Sequence, residues 1–389
     1  MLLKFLKKVI LNIKNRNLTN YKIDVFQKES LYSKRVLISY VLNSFEGKID
    51  LAHSNRFEVL YIAKTFDAMN YIVDIVMHNS DVLSNNIFNN LTYEIVFGIE
   101  PNFLIAVKKF SPKYSIYYAT GSHYEFQNTA ELERIRAIKK RKGVDLKPRR
   151  QINPHNSYEK ADFILGILND KNSTTYHNYA TKLLNLPISI YNPFAYPSIK
   201  NFKNAKSIKN YLWFGSNGAI HKGLDLLLEA FSDIIDCNLY VCGGIEEEKD
   251  FLKLYKKELF KTKNISYKGW VPINSKIFFD LVIQCQVVIL PSCSESINGA
   301  VPTCMYSGLI PVITEETGVD VNGCGEIIRE PTVQEIKRII SILKLKNETE
   351  IELMAYNSFR KSIEKYTIES YSVNLMNNLK TFLSTNGGR

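Results

Sequence analysis

What the chain lacks narrows its chemistry first. None of its six cysteines (Cys237, Cys242, Cys285, Cys293, Cys304, Cys324) stands in a CxxC pair, and the six histidines are scattered without ligand spacing. Neither structural zinc nor a disulfide framework is expected from that usage, and a reducing cytoplasm fits it. No low-complexity tract interrupts the sequence and no DNA- or RNA-binding signature occurs, which sets nucleic acid aside as a partner. The opening stretch "MLLKFLKKVILNIKNRN" is too short and too interrupted by Lys to span a bilayer, and no small-residue cleavage site follows it.

What is present describes a globular chain of more than one core. With 389 residues, 45% of them hydrophobic, two domains are the expectation. The 50 Lys and Arg exceed the 39 Asp and Glu, and the net charge of +11 favours anionic partners such as an acidic membrane surface or a phosphorylated small molecule. In the opening stretch Leu2, Phe5 or Leu6, Val9 or Ile10 and Ile13 fall on one helical stripe, with Lys4, Lys7, Lys8, Lys14 and Arg16 largely around it. Such a basic amphipathic helix either lies on an anionic bilayer or packs on the first domain.

Strand-like and helix-like runs alternate from about residue 35. "RVLISYVLNSF", "YIVDIVMHN", "YEIVFG", "SIYYATGS" and "ADFILGIL" read as strands, with "RFEVLYIAKTFDAMN", "NFLIAVKKF" and "AELERIRAIKKRKG" as helices between them and "PISIYNP" closing the half. Residues 192–210, Lys-rich and with two prolines, read as a linker. The alternation then restarts with "YLWFG", "KGLDLLLEAFSDI", "NLYVCGG", "EEEKDFLKLYKKELF", "ISYKGW", "KIFFDLVIQC", "VVILPS" and "IPVIT". Strands joined by crossover helices predict an α/β protein with parallel sheets, divided as residues 1–195 and 205–389.

Two loops carry the polar chemistry. "FGSNGAIHKGLDLLLEAF" runs from a strand end through a Gly-bearing turn into an amphipathic helix, the layout that gathers N–H groups and a helix dipole on an anion. Gly215, Ser216, Asn217, Gly218, His221 and Lys222 line it, and Lys222 adds a charge suited to a phosphate. In "ILPSCSESINGAVPTCMYSGLIPVIT", Glu295 follows a strand end, with Ser296, Ile297, Asn298 and Gly299 leading into the next helix. There Glu295 either accepts hydrogen bonds from sugar hydroxyls while the amides of 297–300 meet phosphate, or serves as a helix-start acid.

Together these stretches, in order and spacing over residues 205–330, resemble the nucleotide-sugar-dependent glycosyltransferases of family 4. The resemblance implies the GT-B fold, two Rossmann-like doubly wound domains facing each other across a cleft. It implies that Lys222 binds the donor diphosphate, that Glu295 contacts the transferred sugar, and that Gly244 and the residues around Gly299 complete the donor site. Two positions depart from the family pattern: its phosphate-binding Arg is Ser216 here, in a loop one residue longer, and its second Glu, eight positions after the first, is Thr303. In the first half the resemblance assigns His123 to the active site and makes His53, Asn55 and Glu58 candidates on the acceptor side; Ser173 and Thr174 either line the cleft or cap a helix.

The implied reaction is retaining transfer of a sugar from a nucleotide-sugar to a glycan or lipid-linked glycan in surface polysaccharide biosynthesis, such as lipopolysaccharide or capsule. The other glycosyltransferase fold holds a metal with Asp-x-Asp, which occurs nowhere in this chain. Metal-independent transfer, with no cofactor and with Lys222 and amides stabilising the leaving diphosphate, is therefore expected. The expected location is cytoplasmic, with the option of peripheral attachment to the inner membrane face. Alternatives are an epimerase or phosphorylase of the same fold, or a degenerate transferase acting as a binding subunit.

Overall fold

The computed structural model describes residues 20–45, 54–203 and 206–386. The basic stripe of residues 2–16 lies outside these, as does His53. The chain divides into two compact units, one comprising the described residues up to Tyr118 with His155–Ile164, the other Ala119–Pro154 with Leu165 onward.

Strands β1 (Tyr21–Lys22), β2 (Lys34–Tyr40), β3 (Tyr71–Met77), β4 (Ile95–Gly98), β5 (Tyr114–Ala119), β6 (Phe163–Gly166) and β7 (Leu183–Asn185) form a seven-stranded sheet in the order β1-β3-β2-β4-β5-β6-β7. β2 pairs in parallel with β3 and β4, and β1 is antiparallel to β3. Helices α1 (Ser54–Ala68) and α2 (Asn102–Phe110) make the first crossovers. Val36, Leu37, Ile38, Ile95, Val96 and Phe97 are fully buried, as strands covered on both faces require. Each such side chain contributes roughly 1.5–3 kcal/mol. Asp74 interrupts this apolar run, and its buried carboxylate receives both Arg35 Nη1, at 2.9 and 3.1 Å, and the Tyr93 hydroxyl at 2.7 Å.

Helix α3 (Tyr124–Lys142) belongs to the second unit. It stops where the sequence signals a stop: Gly143 takes a left-handed φ of 69° and its N–H closes on the Lys139 carbonyl, with Lys139, Lys140, Arg141 and Lys142 in the last turn.

The second sheet contains β8 (Asn210–Phe214), β9 (Asn238–Cys242), β10 (Ile265–Gly269), β11 (Val287–Leu290), β12 (Ile310–Ile313) and β13 (Glu326–Ile327) in the order β10-β9-β8-β11-β12-β13, all parallel. Helices α4 (Leu224–Asp233), α5 (Lys249–Leu254), α6 (Lys256–Lys261), α7 (Lys276–Gln284) and α8 (Ala300–Tyr306) connect them, and α9 (Val333–Lys344), α10 (Glu348–Lys365) and α11 (Ile368–Asn386) follow. Strand order reverses between β8 and β11, so the loops after these two strands open side by side at the sheet's carboxyl edge.

Two readings of the sequence change. The single helix expected over 246–260 is two, because Tyr255 (φ −103°, ψ 24°) leaves the helical path to bury its ring on Phe251 and bond Glu229 at 2.7 Å. The linker is anchored: Tyr196 and Ile199 are buried in a helical turn, Tyr196 packs with Ala355 and Phe359, and the Lys203 ammonium donates to the carbonyls of Val282, Cys285 and Ser307. Among the described residues no helix is long and apolar enough to cross a membrane.

Candidate active site

The loop after β8 is built around its own carboxylate. Gly215 N–H continues the strand to the Cys242 carbonyl, and then Gly218 N–H (2.6 Å) and Ala219 N–H (3.2 Å) both donate to Glu248. Burial raises the Glu248 carboxyl's pKa against the pull of these two amides. The turn tightens through Lys222 N–H to the Gly218 carbonyl and Leu224 N–H to the Ala219 carbonyl, each 2.9 Å. Gly223 then enters α4 with φ 67°, and a Cβ there would stand 2.4 Å from the Pro291 carbonyl oxygen, so only glycine lets the two loops approach. Trp213, wholly buried at the end of β8, donates its indole N–H to the Lys222 carbonyl at 3.2 Å.

That approach places Lys222 against Glu295. The ammonium Nζ pairs with Glu295 Oε1, both side chains almost fully enclosed, and the Ser292 hydroxyl adds a 3.2 Å bond to the same oxygen. Burial works to raise the Glu295 carboxyl's pKa, but Lys222, then His221, then Arg150 outweigh it and hold it at about 2. The Glu295 loop is fixed from outside: Glu295 N–H bonds the Glu316 carbonyl at 3.0 Å, the Ser122 hydroxyl donates to the Glu295 carbonyl at 2.6 Å, and Asn172 Nδ2 donates to the Ser296 carbonyl.

Several sequence candidates find partners other than a ligand. His221 is 1% exposed, with Nε2 donating to the Ser294 carbonyl and Nδ1 lying 3.7 Å from the Cys293 thiol. Burial pushes its pKa down to about 4, so it is a neutral stitch between the loops and no stand-in for an arginine. The Gly218 amide is taken by Glu248. Asn298 Oδ1 caps the Ala300 amide at 2.9 Å and the Val301 amide at 3.3 Å, and the Thr303 hydroxyl bonds back to the Gly299 carbonyl at 2.7 Å. Among the described residues, the amides without a hydrogen bond include those of Ser216 and Asn217 in the first loop and of Ser296, Ile297 and Gly299 in the second. Gly244 follows β9 beside Trp270.

His123 caps α3, its N–H donating to the Thr175 hydroxyl at 3.1 Å and its ring edge-on to Tyr176. One residue away, Ser122 touches the Glu295 loop. Ser173 and Thr174 turn their hydroxyls to carbonyls three residues back, and neither side chain caps a helix start. Asn55 and Glu58 belong to the other unit, on the first turns of α1, where Glu58 is buried and meets the Tyr40 hydroxyl at 3.5 Å.

The sequence reading missed Glu248, Ser122, Asn172 and Arg150. Glu248 carries a stability prediction. Glu248→Ala strands the Gly218 and Ala219 amides, and about 1–3 kcal/mol of stability should be lost; an unchanged denaturant midpoint would show that the carboxylate does not organise the loop.

The paired sheets, with charged loops at the reversal point of the second, define the GT-B class of fold. Residues 209–343 match the family model described as glycosyl transferases group 1. Similar solved structures share the fold at low identity. Sucrose-phosphate synthase from Thermosynechococcus elongatus is 10% identical over 91% of this chain and 100% of its own, with a TM-score of 0.65. Anabaena HepE in complex with UDP and glucose is 12% identical over 91% and 100%, with a TM-score of 0.59. WaaG, a glycosyltransferase involved in lipopolysaccharide biosynthesis, is 15% identical over 88% and 98%, with a TM-score of 0.57. No curated protein matches by sequence.

Proposed function

We propose that the protein is a retaining glycosyltransferase that takes a sugar from a nucleotide-sugar and passes it to a glycan or lipid-linked glycan of a surface polysaccharide. The observation that carries this reading is the enclosed Lys222–Glu295 pair, built from the loops of β8 and β11 where strand order reverses. A departing nucleoside diphosphate builds charge on its phosphate oxygens, and Lys222 with the open amides of 216, 217, 296, 297 and 299 would receive it. The arriving diphosphate draws Lys222 away from Glu295, freeing a carboxylate for the sugar hydroxyls.

A UDP-sugar is the favoured donor, since HepE is a structural relative bound to UDP. The net charge of +11 and the basic opening stretch suit work at the anionic cytoplasmic membrane face, and the likeness to WaaG suits a lipid-linked acceptor. We propose further that transfer needs no metal, Lys222 and the amides taking the ion's part. The experiment is a turnover screen over UDP-, GDP-, CMP- and dTDP-sugars, with and without chelator. Sugar transfer or donor hydrolysis insensitive to chelator is expected; donor binding without any turnover would instead favour a degenerate binding subunit, the reading that Ser216 and Thr303 keep open.

A further inference from the structure

Resting on the donor site proposed above, one question stays open: position 216 holds a serine, His221 is buried and neutral, and a diphosphate carries more charge than Lys222 alone balances. Arg150, on the segment between α3 and residue 155, lies against this loop. Its Cγ and Cδ cover Gly218, where a Cβ would meet them at 2.9 and 3.1 Å, and its Nη1 reaches the Asn217 side-chain oxygen at 3.4 Å.

The backbone of Arg150 is held and its head is not. Its N–H donates to both oxygens of the buried Glu131 carboxylate at 2.9 and 3.1 Å, and its carbonyl accepts from Gln127 Nε2. Neighbouring Arg149 and Arg141 are paired with Asp250 and with Asp225 and Glu229. Arg150 makes no ion pair among the described residues, and its Nε is buried without a hydrogen-bond partner. A guanidinium fixed at its root, bonded weakly to one neutral amide and without an acid, is arranged for an anion that arrives.

We propose that Arg150 is the second cation of the donor diphosphate site, supplying from outside the β8 loop the charge that Ser216 does not. Its field already reaches the site, since it is among the charges that act on Glu295 and His221.

The test is calorimetric titration of the full chain with UDP, GDP, CDP and dTDP, and with the monophosphate of whichever binds tightest. Arg150→Ala should weaken the diphosphate about tenfold or more and the monophosphate less, narrowing the preference for the second phosphate. Arg150→Lys should recover part of the loss, and the melting temperature should stay within about 2 °C of wild type, because the guanidinium serves no fold contact beyond Asn217. The proposal is overturned if Arg150→Ala binds the diphosphate as wild type does while Lys222→Ala does not. It is equally overturned if both phosphates weaken alike with a lowered melting temperature that lysine fails to restore. A wild-type protein that binds none of the four diphosphates sinks the donor site itself, and this residue's role with it.

Discussion

Lys222→Ala is expected to lower kcat/KM for the working donor by about 10²–10³, the usual cost of removing one preorganised charge from a developing anion. The same change strips Glu295 of its partner inside an enclosed pocket. Breaking a buried pair on one side costs about 3–5 kcal/mol, so the variant should also melt early. Two effects with one cause are separated by a second variant. Lys222→Ala combined with Glu295→Gln removes the orphaned charge and should recover most of the stability while recovering none of the turnover. If the double variant regains activity along with stability, Lys222 serves the fold and leaves the diphosphate to other groups.

Glu295→Gln alone should separate chemistry from nucleotide binding. The amide keeps the shape and loses the charge, so kcat is expected to fall about 10²-fold while affinity for the free nucleoside diphosphate stays within a few-fold or rises, since Lys222 no longer has to leave a carboxylate. A loss of nucleotide affinity as large as the loss of kcat would place Glu295 in the phosphate site. The pH dependence follows from the lowered acid range. Burial opposes ionisation of Glu295, but Lys222, His221 and Arg150 hold its pKa at about 2, below the ordinary carboxyl value of 4.5. A folded-state value below the unfolded one stabilises fully above about pH 4.5, and the contribution disappears as pH falls toward 2. Any limb of the activity profile between pH 5 and 8 therefore belongs to another group.

The sequence exposed these two residues and concealed the ones that place them. Lys222 and Glu295 stand just past short apolar runs, and because the ends of β8 and β11 were readable from hydrophobic patterning, so was their location at one edge of one sheet. Glu248 was not readable. It lies in the acidic run "EEEK", which resembles an ordinary helix start, and only the folded chain brings its carboxylate to the Gly218 and Ala219 amides. Arg150 was hidden among "KPRRQ" for the same reason: nothing in a basic run distinguishes the arginine paired with Asp250 from the one left without an acid. Tyr255 broke a helix whose polar and apolar spacing was regular, because its ring has a buried site and helix propensity is too weak to oppose that.

The account's central claim is that the loops after β8 and β11 hold a nucleotide's diphosphate by fixed cations and amides. Titrating the wild-type protein with nucleoside diphosphate, monophosphate and nucleoside of one base, in chelator, tests it most directly. The account predicts that affinity climbs with each phosphate, that chelator leaves it unchanged, and that Lys222→Ala flattens the climb. Equal binding of nucleoside and diphosphate, or binding that appears only when a divalent cation is restored, would contradict it.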